Sequence, residues 1–299
     1  MNRLLCALLV VACRPAPPPI EMAITFDDLP RHSPLPGQSE LEVHRALLAA
    51  LKAHGVPQVY GFVNGAKLEL HPEDRAALAA WTEAGYPLGS HTYSHPEPAD
   101  VTAYLADIDR NEPLLRELMP GDESRWKVFR YPYLMEGNTL ADRAAIRAHL
   151  RERGYRIAEV SVDFGDWAWN EPYARCLAKG DQAAIAELKA SYLQAALVLL
   201  AFDDSFARRL LGRRIRHILL MHVGPFDAIM LDQLLTLYEK EGVRFIPFEE
   251  ALQDEVYRLD PKAAPTRGDT IEDQVFIERQ TPVIPWAQEP IKALDKMCR

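Results

Sequence analysis

From Met22 onward, short apolar runs of strand length alternate with longer stretches of helical period, and most of the runs end in polar residues. Strand-like runs fall at 23–26, 59–63, 86–89, 128–130, 155–162, 217–221 and 243–246. Between them, apolar spacings of three, four and seven predict helices near 41–51, 72–83, 101–118, 140–153, 182–211 and 230–240. Alternation of this kind forces parallel strands joined by right-handed crossovers, hence a barrel or an open sheet. In such folds the active face lies beyond the carboxyl ends of the strands. Polar residues that follow a strand are therefore the first candidates for chemistry.

The first nineteen residues stand apart. Met1-Asn2-Arg3 carries one positive charge, Leu4 to Val11 is apolar, and Ala12-Cys13 precedes the proline-rich stretch Arg14 to Pro19. A charged start, a short apolar core and a small residue before a cut site describe an export signal. Cysteine directly after the small residue resembles a lipoprotein signal, with Cys13 lipidated and the chain held at the cell envelope or in the periplasm. The expected division is signal and linker at 1–19, a catalytic domain at 20–254 and an irregular tail of unassigned role at 255–299. Cys176 and Cys298 remain as one disulfide or two free thiols; no CxxC zinc pattern occurs. With 34 Lys+Arg against 43 Asp+Glu the net charge is −9, which argues against a nucleic-acid partner. No run of 18 or more consecutive apolar residues occurs.

Five strand ends carry polar clusters: Asp27-Asp28, then His91 and His95, then Arg130 to Tyr133, then Asp163 to Trp167, and finally His222. Two imidazoles with one carboxylate supply three ligands for a divalent ion and leave positions open for water and substrate. Adjacent Asp27 and Asp28 in extended backbone point to opposite sides, so one can ligate while the other takes a proton. His222, ending an apolar strand, has the chemistry of an acid for a leaving amine. The other six histidines, His32 among them, read as surface or helix residues.

In this order the blocks Thr25-Phe26-Asp27-Asp28, His91-Thr92-Tyr93-Ser94-His95, Arg130-Tyr131-Pro132-Tyr133, Asp163-Phe164-Gly165-Asp166-Trp167 and Leu219-Leu220-Met221-His222 resemble the polysaccharide deacetylases, carbohydrate esterase family 4. The resemblance covers roughly 22–254. It implies a distorted, seven-stranded (β/α) barrel that binds Zn²⁺ or another divalent ion such as Co²⁺ or Ni²⁺. Carried over residue by residue, it makes Asp28, His91 and His95 the metal ligands, Asp27 the base and Arg130 the group that holds Asp27 ionised. The backbone N–H of Tyr133 would stabilise an oxyanion, and His222 would be the acid. Asp166 is taken as the partner of His222, although Asp163 fits the same block. Trp167 and Tyr131 would line the substrate groove. Tyr131 stands where many members have Pro, and Val223 follows His222 where an acidic residue is frequent.

The implied activity is hydrolysis of N-acetyl groups on amino sugars of a glycan by metal-activated water. Alternatives are another non-peptide C–N substrate on the same scaffold, or a glycan-binding protein without catalysis. A non-haem iron oxygenase shares the His-His-carboxylate set but would have no use for Asp27. The expected partner is a glycan, with a possible lipid anchor and no protein partner. Asp27, next to Arg130, is expected to stay ionised well below neutral pH.

Overall fold

The computed structural model describes residues 18–263, 266–280 and 293–299. Cys13 and the apolar leader lie outside them. Seven parallel strands form the sheet: β1 (Ile20–Leu29), β2 (Val59–Val63), β3 (Leu88–Ser90), β4 (Val128–Phe129), β5 (Arg156–Ile157), β6 (His217–His222) and β7 (Val243–Phe245). Their order is β5-β4-β3-β2-β1-β6, and β7 pairs with the first residues of β1. Beyond β5 the chain swings back to β6 through a parallel bridge between Val162 and Leu219, which curls the sheet into a distorted barrel. The fold is the expected one.

The helices are α1 (Glu40–Ala53), α2 (Lys67–Leu70), α3 (Arg75–Glu83), α4 (Val101–Leu118), α5 (Leu140–Glu152), α6 (Asn170–Lys179), α7 (Gln182–Leu211), α8 (Pro225–Lys240), α9 (Phe248–Ala251) and α10 (Ile271–Arg279). β1 is apolar on both faces because it is buried on both: from Met22 to Leu29 every residue is buried. α1 buries Val43, His44, Leu47 and Leu51 along one stripe against α8 and α3. α7 is long and apolar enough to cross a membrane by length and composition. Here Leu188, Tyr192, Ala196 and Leu200 are buried on the side that packs on α6 and α8.

Two local expectations change, and one left open is resolved. The run at 155–162 is a regular strand only at Arg156 and Ile157; the carbonyl of Ala158 accepts from Arg130 Nε at 2.6 Å, and pairing resumes only at the isolated bridge of Val162. Among its described residues the tail is not irregular throughout: α10 packs on α7, and its amino end is closed by a Thr270–Asp273 capping box. Cys176 and Cys298 are joined in a disulfide that fastens the carboxyl end to α6.

Candidate active site

The polar strand ends converge on one cleft of about 430 Å³, lined among others by Asp27, Asp28, His91, His95, Tyr133, Asp163, Trp167 and His222. Asp27 ends the apolar part of β1 and is the register partner of His222 on β6, so base and acid candidates sit on neighbouring strands. Asp27 is buried against Arg130, whose Nη1 donates to both carboxylate oxygens at 3.0 and 3.2 Å. The same guanidinium donates to Thr25 Oγ1 at 3.1 Å and to the Ala158 carbonyl. A buried cation needs all of its partners, and Arg130 is fixed by three residues at once, two on β1 and one just past β5. Burial nevertheless raises the Asp27 carboxyl above its ordinary range, with Arg130 pulling the other way. The sequence expectation counted only the arginine.

Asp28, His91 and His95 bring one ligand atom each to within 4.8 Å of one another. His91 Nδ1 donates to the Arg130 carbonyl at 2.8 Å, which leaves Nε2 with its lone pair free. Burial holds the His91 ring down to about 3; burial and then the His91 ring do the same for His95. Burial works to raise the Asp28 carboxyl, but Lys67 and His32 outweigh it and hold the group well below the usual range. Two neutral imidazoles and an ionised carboxylate are the donor set that a divalent ion requires, so the residues present fit one. The loop between the histidines is held by Asp107 of α4, which accepts from the backbone N–H groups of Tyr93 and Ser94 at 2.9 Å each.

Across the cleft, His222 Nδ1 donates to Asp166 Oδ1 at 2.8 Å, and the His222 backbone N–H donates to Asp166 Oδ2 at 2.6 Å. Asp166, not Asp163, is the partner; Asp163 accepts from the Gly165 N–H at 2.8 Å instead. Burial favours the neutral ring, but Asp166, with smaller contributions from Asp28 and Asp27, pushes His222 up to about 10. Behind it, buried Asp227 accepts from Tyr192 Oη at 2.9 Å and from Asn170 Nδ2 at 3.1 Å.

Backbone conformation is unusual around the cleft. Asp28, Thr92, His95, Tyr133 and Leu134 all have left-handed φ between 51 and 68°. Non-glycine residues seldom occupy that region, and they cluster where the surroundings over-determine them. The Tyr133 carbonyl accepts from the Gly268 N–H at 2.8 Å, and the Arg267 guanidinium lies 4.1 Å over the Tyr133 ring. Arg267 and Gly268 of the tail thus form one wall of the cleft.

Trp167 stands at the lip, 46% exposed. Tyr131, expected in the groove, is buried instead, with its ring 5.0 Å from that of Phe129. It follows β4 but turns into the core, which leaves Tyr133 as the aromatic of that block facing the cleft. His32, read from sequence as a surface residue, lines the cleft with its Nδ1 2.8 Å from Asp28 Oδ2. Its signal was its position four residues after Asp28, across the turn at Leu29-Pro30. His44 and His217 are buried, the first between the Pro30 carbonyl and Trp81 Nε1. Asn170, Asp107 and Arg267 carried no motif signal.

A curled parallel β/α barrel with an Asp-His-His cluster facing a His-Asp pair is the class of protein defined by this fold and cleft. The polysaccharide deacetylase family model matches residues 14–157 of the chain. A curated relative, the peptidoglycan-N-acetylglucosamine deacetylase of Bacillus cereus, is 32% identical over 149 residues. That match covers 49% of this chain and 46% of the relative, so the chain spans about half the length of that protein. Among solved structures, the chitin deacetylase of Colletotrichum lindemuthianum superposes with TM-score 0.53 at 21% identity, covering 83% of this chain and 92% of that one. A carbohydrate esterase family 4 pseudoenzyme of Bacillus anthracis, as a mutant with restored enzymatic activity, gives TM-score 0.55 at 17% identity over 79% of this chain and 68% of that one. At these identities the likeness is one of fold.

Proposed function

We propose that the protein removes N-acetyl groups from amino sugars of a glycan, as a hydrolase dependent on a divalent metal ion. One observation carries the reading: Asp28, His91 and His95 converge in the same cleft as a base candidate held by Arg130 and an acid candidate held by Asp166. Zn²⁺ or a similar ion held by Asp28, His91 and His95 would supply Lewis acidity, polarising the acetyl carbonyl and acidifying water. Asp27 takes the proton of the attacking water, with Arg130 fixing the plane of its carboxylate. The Tyr133 backbone N–H donates to the carbonyl oxygen as it becomes an oxyanion. His222, oriented by Asp166 through Nδ1, delivers a proton from Nε2 to the leaving amine nitrogen. Trp167 offers an apolar face to a sugar ring at the cleft mouth.

The substrate class rests on the family and on the name of the Bacillus cereus relative. A glycan-binding protein without catalysis would have no need of the paired base and acid. Export to the envelope, with Cys13 as a lipidated first residue, accords with a disulfide, since such bonds persist in oxidising compartments. The test is acetate release from N-acetylated chito-oligomers and peptidoglycan fragments by the full chain, before and after chelation and after Zn²⁺ is restored. Release abolished by chelation and recovered with metal is the expected result. No release from either substrate class by metal-loaded protein overturns the reading.

A further inference from the structure

His32 lies outside every motif block, yet its imidazole sits on a carboxylate of the metal-site cluster. A carboxylate only accepts, so the 2.8 Å contact between His32 Nδ1 and Asp28 Oδ2 fixes the proton on Nδ1. The turn that brings His32 back is itself pinned. The Arg31 N–H donates to the Asp28 carbonyl at 3.0 Å. The Arg31 guanidinium grips buried Asp74 through Nε at 2.7 Å and Nη2 at 3.1 Å. Asp28 is held from its other side by Lys67 Nζ, which donates to its carbonyl at 2.9 Å and to Oδ1 at 3.1 Å. Oδ1 also lies 3.5 Å from His95 Nε2, on the side of the imidazole cluster.

We propose that His32 is a positioning residue for the metal site: its Nδ1–H occupies Asp28 Oδ2, fixes the carboxylate plane and leaves Oδ1 turned toward His91 and His95. This rests on the metal-dependent reading above. A free carboxylate rotates and can offer one oxygen or two; one whose outer oxygen is taken offers a single, oriented donor. Hydrogen-bond partners of this kind are worth about 10–100-fold in metal affinity. His32 also stands beside the acid candidate, its ring 5.0 Å from that of His222, so the same side chain fills the space between the two halves of the cleft.

The experiment measures Zn²⁺ affinity of the full chain by competition with a chromophoric chelator, for the natural protein, His32→Asn and His32→Leu. Asparagine places an N–H donor near the position of Nδ1; leucine has similar bulk and no donor. Thermal midpoints in excess chelator check that the metal-free folds are equally stable. The expected result is a loss of about 10–100-fold for His32→Leu and affinity within a few-fold of natural for His32→Asn. Unchanged affinity in His32→Leu overturns the proposal. So does an equal loss in both variants, which would make the imidazole itself a ligand. If the natural chain binds no Zn²⁺, the metal-dependent reading falls with it; if it binds and only the His32→Leu effect is missing, that reading stands.

Discussion

Asp27 and Arg130 are both buried, and each offsets the charge of the other there. The pair separates the two functions of the Asp27-Asp28 dipeptide: Asp27 turns to Arg130, while Asp28 turns to the imidazoles. Asp27→Asn keeps the volume and removes the base. It should retain stoichiometric metal and lose roughly 10²–10⁴-fold in kcat/KM, read from acetate release beside metal analysis. Loss of metal together with rate would instead make Asp27 a ligand. His222 gives a second prediction with a definite sign. It acts as an acid only while protonated, and Asp166 helps hold that proton up to about pH 10. The alkaline limb of kcat/KM should therefore lie well above neutral, although a dication beside Asp27 and Asp28 would cancel their smaller share. Asp166→Asn removes the largest attraction, so the limb should move down toward the ordinary histidine range, near 6.5. A limb that stays in place in Asp166→Asn assigns it to another group.

Most elements could be read from the sequence because burial on both faces makes strands continuous apolar runs with polar ends. α4 and α7 start and stop at the residues that the periodicity marks, since Asp100 and Asp181 cap their amino ends. α6 was not read, because it is ten residues long and within it only Asn170, Pro172 and Cys176 are buried. That missed helix carries a residue the cleft depends on. Asn170 Oδ1 accepts from the Phe226 N–H at 2.8 Å while Nδ2 donates to Asp227, clamping α6 to the start of α8 just after His222. The clamp leaves no room at Gly224, where a Cβ would meet Asn170 and Asp227 atoms at 2.1 to 2.4 Å. Asn170→Ala leaves the buried Asp227 carboxyl and a backbone N–H each short of a partner. It should cost about 1–3 kcal/mol or more in denaturant unfolding, with the slope m unchanged. A variant as stable as the natural protein would mean that water replaces the amide. His32 and Arg267 escaped notice for another reason: a turn and a tail bring them to the cleft, and neither leaves a periodic trace.

At the scale of the whole molecule, the tail belongs to the barrel. The Gly268 N–H bonds to the Tyr133 carbonyl, Gln274 Nε2 donates to buried Glu136 at 2.9 Å, and α10 lies on α7. At its far end Cys298 is bonded to Cys176, closing a loop with a sequence separation of 122. Cysteine counting left the pairing open because sequence separation says nothing of proximity. Cross-linking residues so far apart removes much of the unfolded chain's freedom, worth on the order of 4–5 kcal/mol at 25 °C by loop-closure entropy. Replacing both cysteines, Cys176→Ser with Cys298→Ser, should therefore lower the unfolding free energy by several kcal/mol. Reductant should have the same effect on the natural chain and none on the double variant. The loss should appear as a lower denaturant midpoint, and m should rise because the unlinked unfolded chain exposes more surface. The cleft gives an internal control: Arg267 and Gly268 reach it through bonds to Glu97 and Tyr133 that do not involve the disulfide. Well below its unfolding transition, the double variant should bind Zn²⁺ as the natural protein does. An unchanged midpoint would mean that the thiols are not bonded in the protein as purified, and free-thiol titration of the unfolded natural chain decides that directly.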